Sequence, residues 1–445
     1  QCLFFFGLSA LHVPKRMQMG RDQSPDRSAG LAKDELSPAS DNEAVSEETQ
    51  RQVVLSIAAY SVLICFVDGL SITCAPFLAA SIGIPTSLYA VSIATMPLVR
   101  LLATWPTTFT ANLHGRTPVL RAATATSMAV VPLMGFSMSL LYFAALKGLM
   151  GLGDAAAQVC IPFMLSDVSV PGNRSRTFAV FRVSRCAGQG IGPVTGGFLA
   201  AKFGPRAVFF GTAPVLGLAA LLAWLLPETL PEQARAKADC CEQVRELADG
   251  ACAVGSDRGM QFALLVQFIE TVVSKAMAFV IVPHVCLQRL HMGPSQLGIL
   301  YTAGSVTKML CAMPSSFLSD KLGRKTAVTA GLILQASMIA AMPLWRSGWQ
   351  MILAFIPYSA AGTLNNAGFD PYFADLNNDD TKARDQALAL QRNALDVGEI
   401  VGGPVLGALA SSHASSWLFK IPPILLLFSG LSFACLARET TTVEN

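Results

Sequence analysis

WPTTFTANLHGR at residues 105–116 returns as MPSSFLSDKLGR at 313–324, and GQGIGPVTGG at 188–197 returns as GEIVGGPVLGA at 398–408. The displacements agree: 314 − 106, 320 − 112 and 324 − 116 each give 208, and 404 − 193 gives 211. A unit of about 210 residues is therefore present twice and fills nearly all the chain, and such a repeat has to be settled before any fold is argued. In an apolar chain, tandem halves are what secondary transporters are built from.

The 445 residues are 52% hydrophobic and only 14% charged, with a mean hydropathy of +0.49, whereas soluble proteins carry about 25% charged residues. About 20 apolar residues cross a hydrocarbon core of about 30 Å. Runs of that kind lie near 53–75, 86–106, 118–138, 140–166, 178–201, 206–226, 260–284, 295–317, 326–345, 349–369, 390–411 and 416–437. The expectation is an all-α integral membrane protein of twelve transmembrane helices, in two pseudo-symmetric six-helix halves at 52–226 and 260–437.

The remaining segments differ in character. Residues 1–51 form an N-terminal segment whose stretch 15–51 is rich in Ser, Asp and Glu, a composition that predicts disorder. The linker at 227–259 opens with PETLPEQARAKADCCEQVRELADG and has some helical periodicity; residues 438–445 are a short tail. The apolar run within QCLFFFGLSALHVPKR is too short to span and fits a signal-peptide remnant. With the amino terminus inside, the inner loops and adjoining span ends hold sixteen Lys and Arg between Arg116 and Arg392, and the outer loops only Lys202, Arg206, Arg289, Arg346 and Lys420. The positive-inside rule then places both termini and the linker in the cytoplasm, in a plasma or organelle membrane.

Several classes are excluded. A net charge of +3 with no basic stripe interleaved with aromatics gives no nucleic-acid surface. Seven of eleven cysteines (65, 74, 160, 186, 286, 311 and 435) lie in or beside apolar runs as small packing residues, and Cys240 and Cys241 have no CxxC partner. The five histidines form no ligand pair, so no metal is expected. No Walker A, HExxH or GxSxG sequence occurs, which argues against an enzyme and against any cofactor.

The repeated motifs also carry a family resemblance. SFLSDKLGRK at 316–325 resembles the loop between spans 8 and 9 of the major facilitator superfamily, G-x-L-A/S-D-R/K-x-G-R-R/K, with Ser316 in place of the first Gly. The matching first loop has Asn112 where that family has Asp, and keeps Gly115 and Arg116. KGLMGLGDAA at 147–156 is similar to the R-x-x-x-G-x-G motif of span 4, with Lys147 for Arg. Gly188, Gly192, Pro193, Gly196 and Gly197 in span 5 resemble the G-x-x-x-G-P-x-x-G-G signature of drug-to-proton antiporters, while PETL at 227–230 and RETT at 438–441 look like the family's ends of spans 6 and 12. The resemblance spans residues 53–441. It implies a central cavity lined by spans 1, 4, 7 and 10 and reached alternately from either side.

Individual residues follow. Gly115 and Gly323 suit a tight turn that needs positive φ. Asp320 with Lys321, Arg324 and Lys325 is either an ion-pair gate or a plain topological signal, although an acid adds nothing to the latter. Gly188, Gly192 and Gly196 allow close helix approach, Pro193 bends span 5, and Gly402, Gly403 and Pro404 repeat the pattern in span 11. Intramembrane charges are costly and so are functional candidates. Asp68 is the candidate for binding a proton or a cationic substrate, with a satisfied structural acid as the alternative. Glu270 aligns with it through FVD and FIE, with Lys275 as a neutralising neighbour. Arg100 and Lys308 correspond at 308 − 100 = 208, and Asp154 is a potential partner for Lys147. Asn365 and Asn366 are polar contacts of span 10.

In the superfamily each motif loop packs against the opposite half. On that basis Arg116 would pair with Asp396, and Asp320 with Arg185 in the basic span-5 start that also holds Arg182, holding the outward-facing state. The function expected is proton-driven export of a small organic molecule by a monomer in the bilayer. A uniporter or symporter for an organic anion or other metabolite, and a non-transporting receptor or scaffold of the same fold, stay open as alternatives.

Overall fold

The computed structural model describes residues 47–169, 174–230, 257–376, 381–411 and 415–439. Most of the N-terminal segment, the linker from residue 231 to 256 and the tail beyond Glu439 lie outside the described residues, as do the expectations made for them.

Among the described residues twelve long helices follow one another. In the first half they are α1 (Glu47–Ser81), α2 (Thr86–His114), α3 (Arg116–Leu133), α4 (Leu140–Val168), α5 (Arg174–Phe203) and α6 (Pro205–Leu225). In the second half α7 (Arg258–Ala276) runs on to Arg289 through two π-helical segments, followed by α8 (Pro294–Leu322), α9 (Arg324–Ala341), α10 (Gly348–Asp375), α11 (Thr381–Ser411) and α12 (Ile421–Leu436). The repeat is visible in the punctuation. Gly115 and Gly323 turn the chain between paired helices at φ +104° and +94°, as expected. Ser139 and Ser347, again 208 apart, accept from Tyr142 N and Gln350 N to cap α4 and α10, satisfying donors that a helix start leaves open.

Nine of these helices are long and apolar enough to cross a membrane alone; α5, α8 and α10 fall short. Those three are diluted by Gly, Ser, Thr, Asn and charged residues, and they face other helices and a cavity rather than lipid alone. Between helices in lipid no hydrophobic gain remains, so close backbone approach through small residues does the packing. Gly188 and Gly192 of α5 lie against α1, where an added Cβ would sit 2.9 Å from the Cys65 Cβ and the Gly69 Cα. Gly398 and Gly402 of α11 lie in the same way against Thr271 and Val272 of α7.

The halves meet along two seams, α5 with α8 and α2 with α11. At the first, an added Cβ on Gly197 would strike the Pro294 carbonyl, and Thr302 Oγ1 accepts from Val194 N at 3.1 Å and donates to the Gly190 carbonyl at 2.8 Å. At the second, Gly407 abuts Ala90, and Ser87 N donates to Ser411 Oγ at 2.9 Å. These contacts concentrate on the face opposite the one where α1 begins. Toward the α1-start face α8 loses cover: Leu310, Met313 and Phe317 are 67%, 84% and 69% exposed.

The seam contacts set the register more firmly than the letters do. Gly188, Gly192 and Gly197 match Gly398, Gly402 and Gly407 at 210, so Pro193 corresponds to Gly403 and the alignment of Pro193 with Pro404 slips by one residue.

Candidate functional site

Between the halves, near the middle of the helices, lies a cavity of about 140 Å³. The first half contributes Asp68, Gly69 and Ile72 from α1 and Gln189 and Pro193 from α5. The second half contributes faces of α7 (Glu270 to Phe279), α8 (Tyr301 to Lys308) and α10 (Phe355 to Asn366), with Gln335 and Leu395. α4 contributes no lining residue, which corrects the expected set of spans 1, 4, 7 and 10. Asn366 lines the cavity, whereas Asn365 turns away and donates to Gln335 Oε1 at 2.7 Å between α9 and α10.

Asp68 faces this space without a hydrogen bond or ion pair to any described residue; the charges nearest to it are Asp154, Arg185 and Lys147. Glu270 is 5% exposed, with Gln267 Nε2 at 3.5 Å. The two acids are not equivalent by structure. Gly188 rests on Val62 and Cys65 and Gly398 on Phe268 and Thr271, so α1 and α7 correspond at 268 − 62 = 271 − 65 = 206. Asp68 therefore matches Ser274, and Glu270 sits one turn nearer the α1-start face; the FVD and FIE likeness is local.

Behind the cavity a charge cluster crosses the α2/α11 seam. Arg100 is the middle residue of the 29-residue α2 and is 3% exposed. Its Nη1 donates to Asp154 Oδ2 at 2.9 Å, and its Nη2 to Asp396 Oδ1 at 2.6 Å and Glu399 Oε2 at 2.8 Å. Lys275 Nζ lies 3.2 Å from Glu399 of α11 and is also a charged neighbour of Glu270, the acid it was expected to neutralise. Arg392 bonds Gln158, which in turn donates to Asp154 at 2.9 Å. Three cations against three carboxylates give a neutral cluster, the condition under which buried charge is tolerated. Asp154 is thus the partner of Arg100 and not of Lys147, which is buried with Asp68 as a charged neighbour.

The motif loops dock within their own halves. Arg116 Nε meets Asp167 at 2.9 Å, its Nη1 donates to Asn112 Oδ1 at 3.2 Å, and its guanidinium lies 4.2 Å over Phe163. The Glu228 carboxylate accepts from Arg116 N and Thr117 N at 3.0 and 3.1 Å, filling the open N-terminus of α3. In the second half Arg324 pairs with Asp320 and stands 3.5 Å from Asp375, and Glu439 accepts from Arg324 N at 2.9 Å. The expected pairing of Arg116 with Asp396 is corrected by depth: sixteen residues separate Arg100 from Arg116, about 24 Å along a helix, and Asp396 is level with Arg100. The lost loop acid is made good by Asp167, not across the seam. Asp320 pairs with Arg324 in the described state, and Arg185 lies 5.7 Å over Phe181; the Asp320–Arg185 pair was expected of the outward-facing state. Arg182 has Asp370 of α10 as its charged neighbour, and Lys325 N approaches Glu439 at 3.5 Å.

Sequence reasoning did not single out Asp167, Asp375 or the aromatic wall of the cavity; it placed Glu228 and Glu439 only within the PETL and RETT motifs and Glu399 only among the charges of span 11, without partners. A signal for four of them existed: 375 − 167 = 208 and 439 − 228 = 211, so acids conserved by the internal repeat mark the loop sites.

Known proteins give the same picture. Residues 57–240 and 263–444 match the model of the Major Facilitator Superfamily. The chain is 26% identical over 337 residues to the multidrug resistance protein MdtG of Yersinia enterocolitica, covering 74% of this chain and 78% of that one. It is 25% identical over 336 residues to MdtG of Citrobacter koseri, covering 73% and 79%. Among solved structures the nucleoside transporter NupG superposes with a TM-score of 0.71 at 11% identity, over 87% of this chain and 100% of the other. The human organic anion transporter MFSD10 gives 0.60 at 18%, over 86% and 99%. A repeated six-helix unit, two inter-half seams and a cavity between them, matched in each half by one family model, make this multi-pass membrane protein a transporter of the Major Facilitator Superfamily.

Proposed function

We propose that the protein exports a small organic molecule against inward proton flow, by alternating access to the cavity between its halves. The observation that carries this reading is Asp68: a carboxylate inside the helical bundle, facing the cavity, with no hydrogen-bond partner among the described residues. An acid left in that position has chemistry to do, because a merely structural carboxylate would be paired. Bacterial relatives bearing the name multidrug resistance protein support export. With both termini cytoplasmic, the described arrangement is tight on the outer side and opens inward, the state in which a cytoplasmic substrate loads. Outward opening then requires the contacts around Gly197, Gly407 and Ser411 to part.

The test is flux into proteoliposomes under an imposed pH gradient, with internal pH followed alongside substrate. Wild type should move protons against substrate, and Asp68→Asn should abolish the pH-driven component. Substrate flux indifferent to the gradient would overturn coupling. A second reading, a uniporter or symporter for an organic anion, is favoured by Lys275 and Lys308 in the cavity wall; flux unchanged by the gradient, or rising with inward co-movement of protons, would select it.

A further inference from the structure

The stretch from mid-α7 to the start of α8 is two residues longer than the matching stretch of the first half. α1 and α7 correspond at 206 through their glycine contacts, whereas α2 (Thr86–His114) and α8 (Pro294–Leu322) correspond at 208. Between them, Pro76 and Pro283 stand 207 apart. The displacement thus grows by one at Met277–Ile281 and by one more at Val285–Arg289, which are the two π-helical segments. A π turn closes its hydrogen bond over five residues instead of four, so each holds one extra residue. Val282 N donates to the Met277 carbonyl, and Leu290 N to the Val285 carbonyl. α1 has no such insertion and is α-helical from Glu47 to Ser81.

The first π turn leaves one carbonyl to be satisfied from outside the helix. The residues placed to donate to the Ala278 oxygen are Val282, whose amide is bonded to Met277, and Pro283, which has no N–H. The Tyr301 hydroxyl of α8 donates to it instead. Position 93, which is 208 residues before Tyr301, is an isoleucine, so the first half has neither the turn nor its pin. The same turn sits where the closed face is built. Val280 is fully buried, and a Cβ added to Gly407 of α11 would strike Ala90 of α2 and stand 3.6 Å from Val280 Cγ1. One turn on, His284 Nδ1 lies 3.2 Å from Thr86 Oγ1 at the start of α2. Ala278 and Phe279 line the cavity. Beyond the second π turn, His291 has φ +47°, a left-handed conformation uncommon outside glycine. The segment Val282 to Arg289 is therefore bounded by irregular backbone at both ends.

We propose that the Met277–Ile281 turn is the hinge of the gate on the closed face, and that Tyr301 is the positioning residue that holds it shut. Opening begins when the end of α7, Val282 to Arg289, swings away from α2. The Tyr301 bond favours the closed turn, because a carbonyl deprived of its donor is satisfied again only where opening admits water. The α5/α8 side, where α1 continues as plain α-helix, parts instead by separation of whole helices. This hinge serves the alternating access proposed above and rests on that reading, but on neither proton coupling nor the direction of transport.

The test is maleimide labelling of the full chain in lipid nanodiscs, with a cysteine placed at Ala90 or at Ser295 and the chain with its native cysteines alone as the blank. Ala90 reports the contact of α2 with α7 and α11. Ser295, whose hydroxyl meets the Gly197 carbonyl at 3.4 Å, reports the α5/α8 contact. Tyr301→Phe should speed labelling at Ala90 about three- to tenfold, the effect of one hydrogen bond, and leave Ser295 nearly unchanged. A chain loosened as a whole would label faster at both. Pro283→Ala restores an amide for Ala278, so in that background Tyr301→Phe should have little effect at Ala90. Pro283→Ala alone should label more slowly than wild type there, which decides the matter should Tyr301→Phe misfold. Equal rises at the two positions, no rise at Ala90, a rise undiminished by Pro283→Ala, or wild-type labelling of Pro283→Ala would each overturn the proposal. No gradient is applied, so failure of proton coupling would leave this result standing, and failure here would leave the coupling measurement standing.

Discussion

The α2/α11 and α5/α8 seams share one backbone plan and hold together by different means. Near the face away from the start of α1 they are alike: Gly407 against Ala90 repeats Gly197 beside Gly298, and each pair of helices closes through small residues. At mid-helix they part company. Arg100 is gripped by Asp154, Asp396 and Glu399, whereas the positions that correspond around Lys308 are Gly362, Cys186 and Gln189, none of them charged. The same middle position thus carries a cation in both halves, sunk in a neutral ion cluster in one and set in the cavity wall in the other.

The largest effect that tests this contrast is Arg100→Met. It leaves three buried carboxylates, Asp154, Asp396 and Glu399, to only two cations, Lys275 and Arg392, and breaking a buried pair costs about 3–5 kcal/mol, so thermal unfolding in detergent should show a Tm far below wild type and flux should be lost. Neutralising one acid as well, with Asp396→Asn in the Arg100→Met background, returns the cluster to two cations against two carboxylates and should restore most of the lost stability without restoring flux. Recovery of both would mean the cluster is structural filler rather than a latch between the halves.

Next in size are the glycines that the seams share. Gly197→Leu and Gly407→Leu each force a side chain into the opposite half, and overpacking of that kind costs about 1–3 kcal/mol. Because the two closures are alike at this face, the two variants should lose similar stability and both should increase labelling of a cysteine placed at Ser295 or Ser411. A large inequality between them would break the likeness of the closed ends.

How much of this was legible in the letters differs along the chain. The halves, the twelve helices, the glycine turns and the candidacy of Arg100, Asp68 and Asp396 as intramembrane charges follow from composition, the 208-residue displacement and the cost of charge in lipid. Partners did not follow, because a pairing depends on depth along a helix and on which face is turned inward. Asp396 looked like a loop partner by its place near a helix start, yet about four turns of α11 bring it level with mid-α2. Asp68 and Glu270 looked equivalent because FVD and FIE are alike, while the glycine contacts set α1 and α7 four residues out of that alignment. The aromatic wall of the cavity has no counterpart in the repeat, since Ile93, Lys147 and Met150 stand 208 residues before Tyr301, Phe355 and Tyr358, so reading by repetition passes over it.

Lys308→Met is a smaller perturbation. Its charged neighbour is Glu270 rather than three carboxylates, so removing this cation should cost about 1 kcal/mol, an ordinary substitution, and should show instead as reduced flux. If Tm fell as far as for Arg100→Met, the two mid-helix cations would be doing the same structural job and the contrast between seams would collapse.

The smallest effect lies at the motif loops, where the halves are again alike. Glu228 accepts from the first two amides of α3 at 3.0 and 3.1 Å, and Glu439 from those of α9 at 2.9 and 3.5 Å. Glutamine at either position keeps an acceptor oxygen and loses only the charge that favours a helix N-terminus, about 0.3–1 kcal/mol. Both Glu228→Gln and Glu439→Gln should therefore shift Tm slightly and by similar amounts, less at high salt, because exposed charges at a helix end are screened. The two need not match in flux. Arg116 is held by Asp167 at 2.9 Å while Arg324 stands 3.5 Å from Asp375 and leans on Asp320, so the second loop has the weaker grip on its own half. Weakening Glu439 should disturb flux more than weakening Glu228, and equal flux would show that the loops act only as caps.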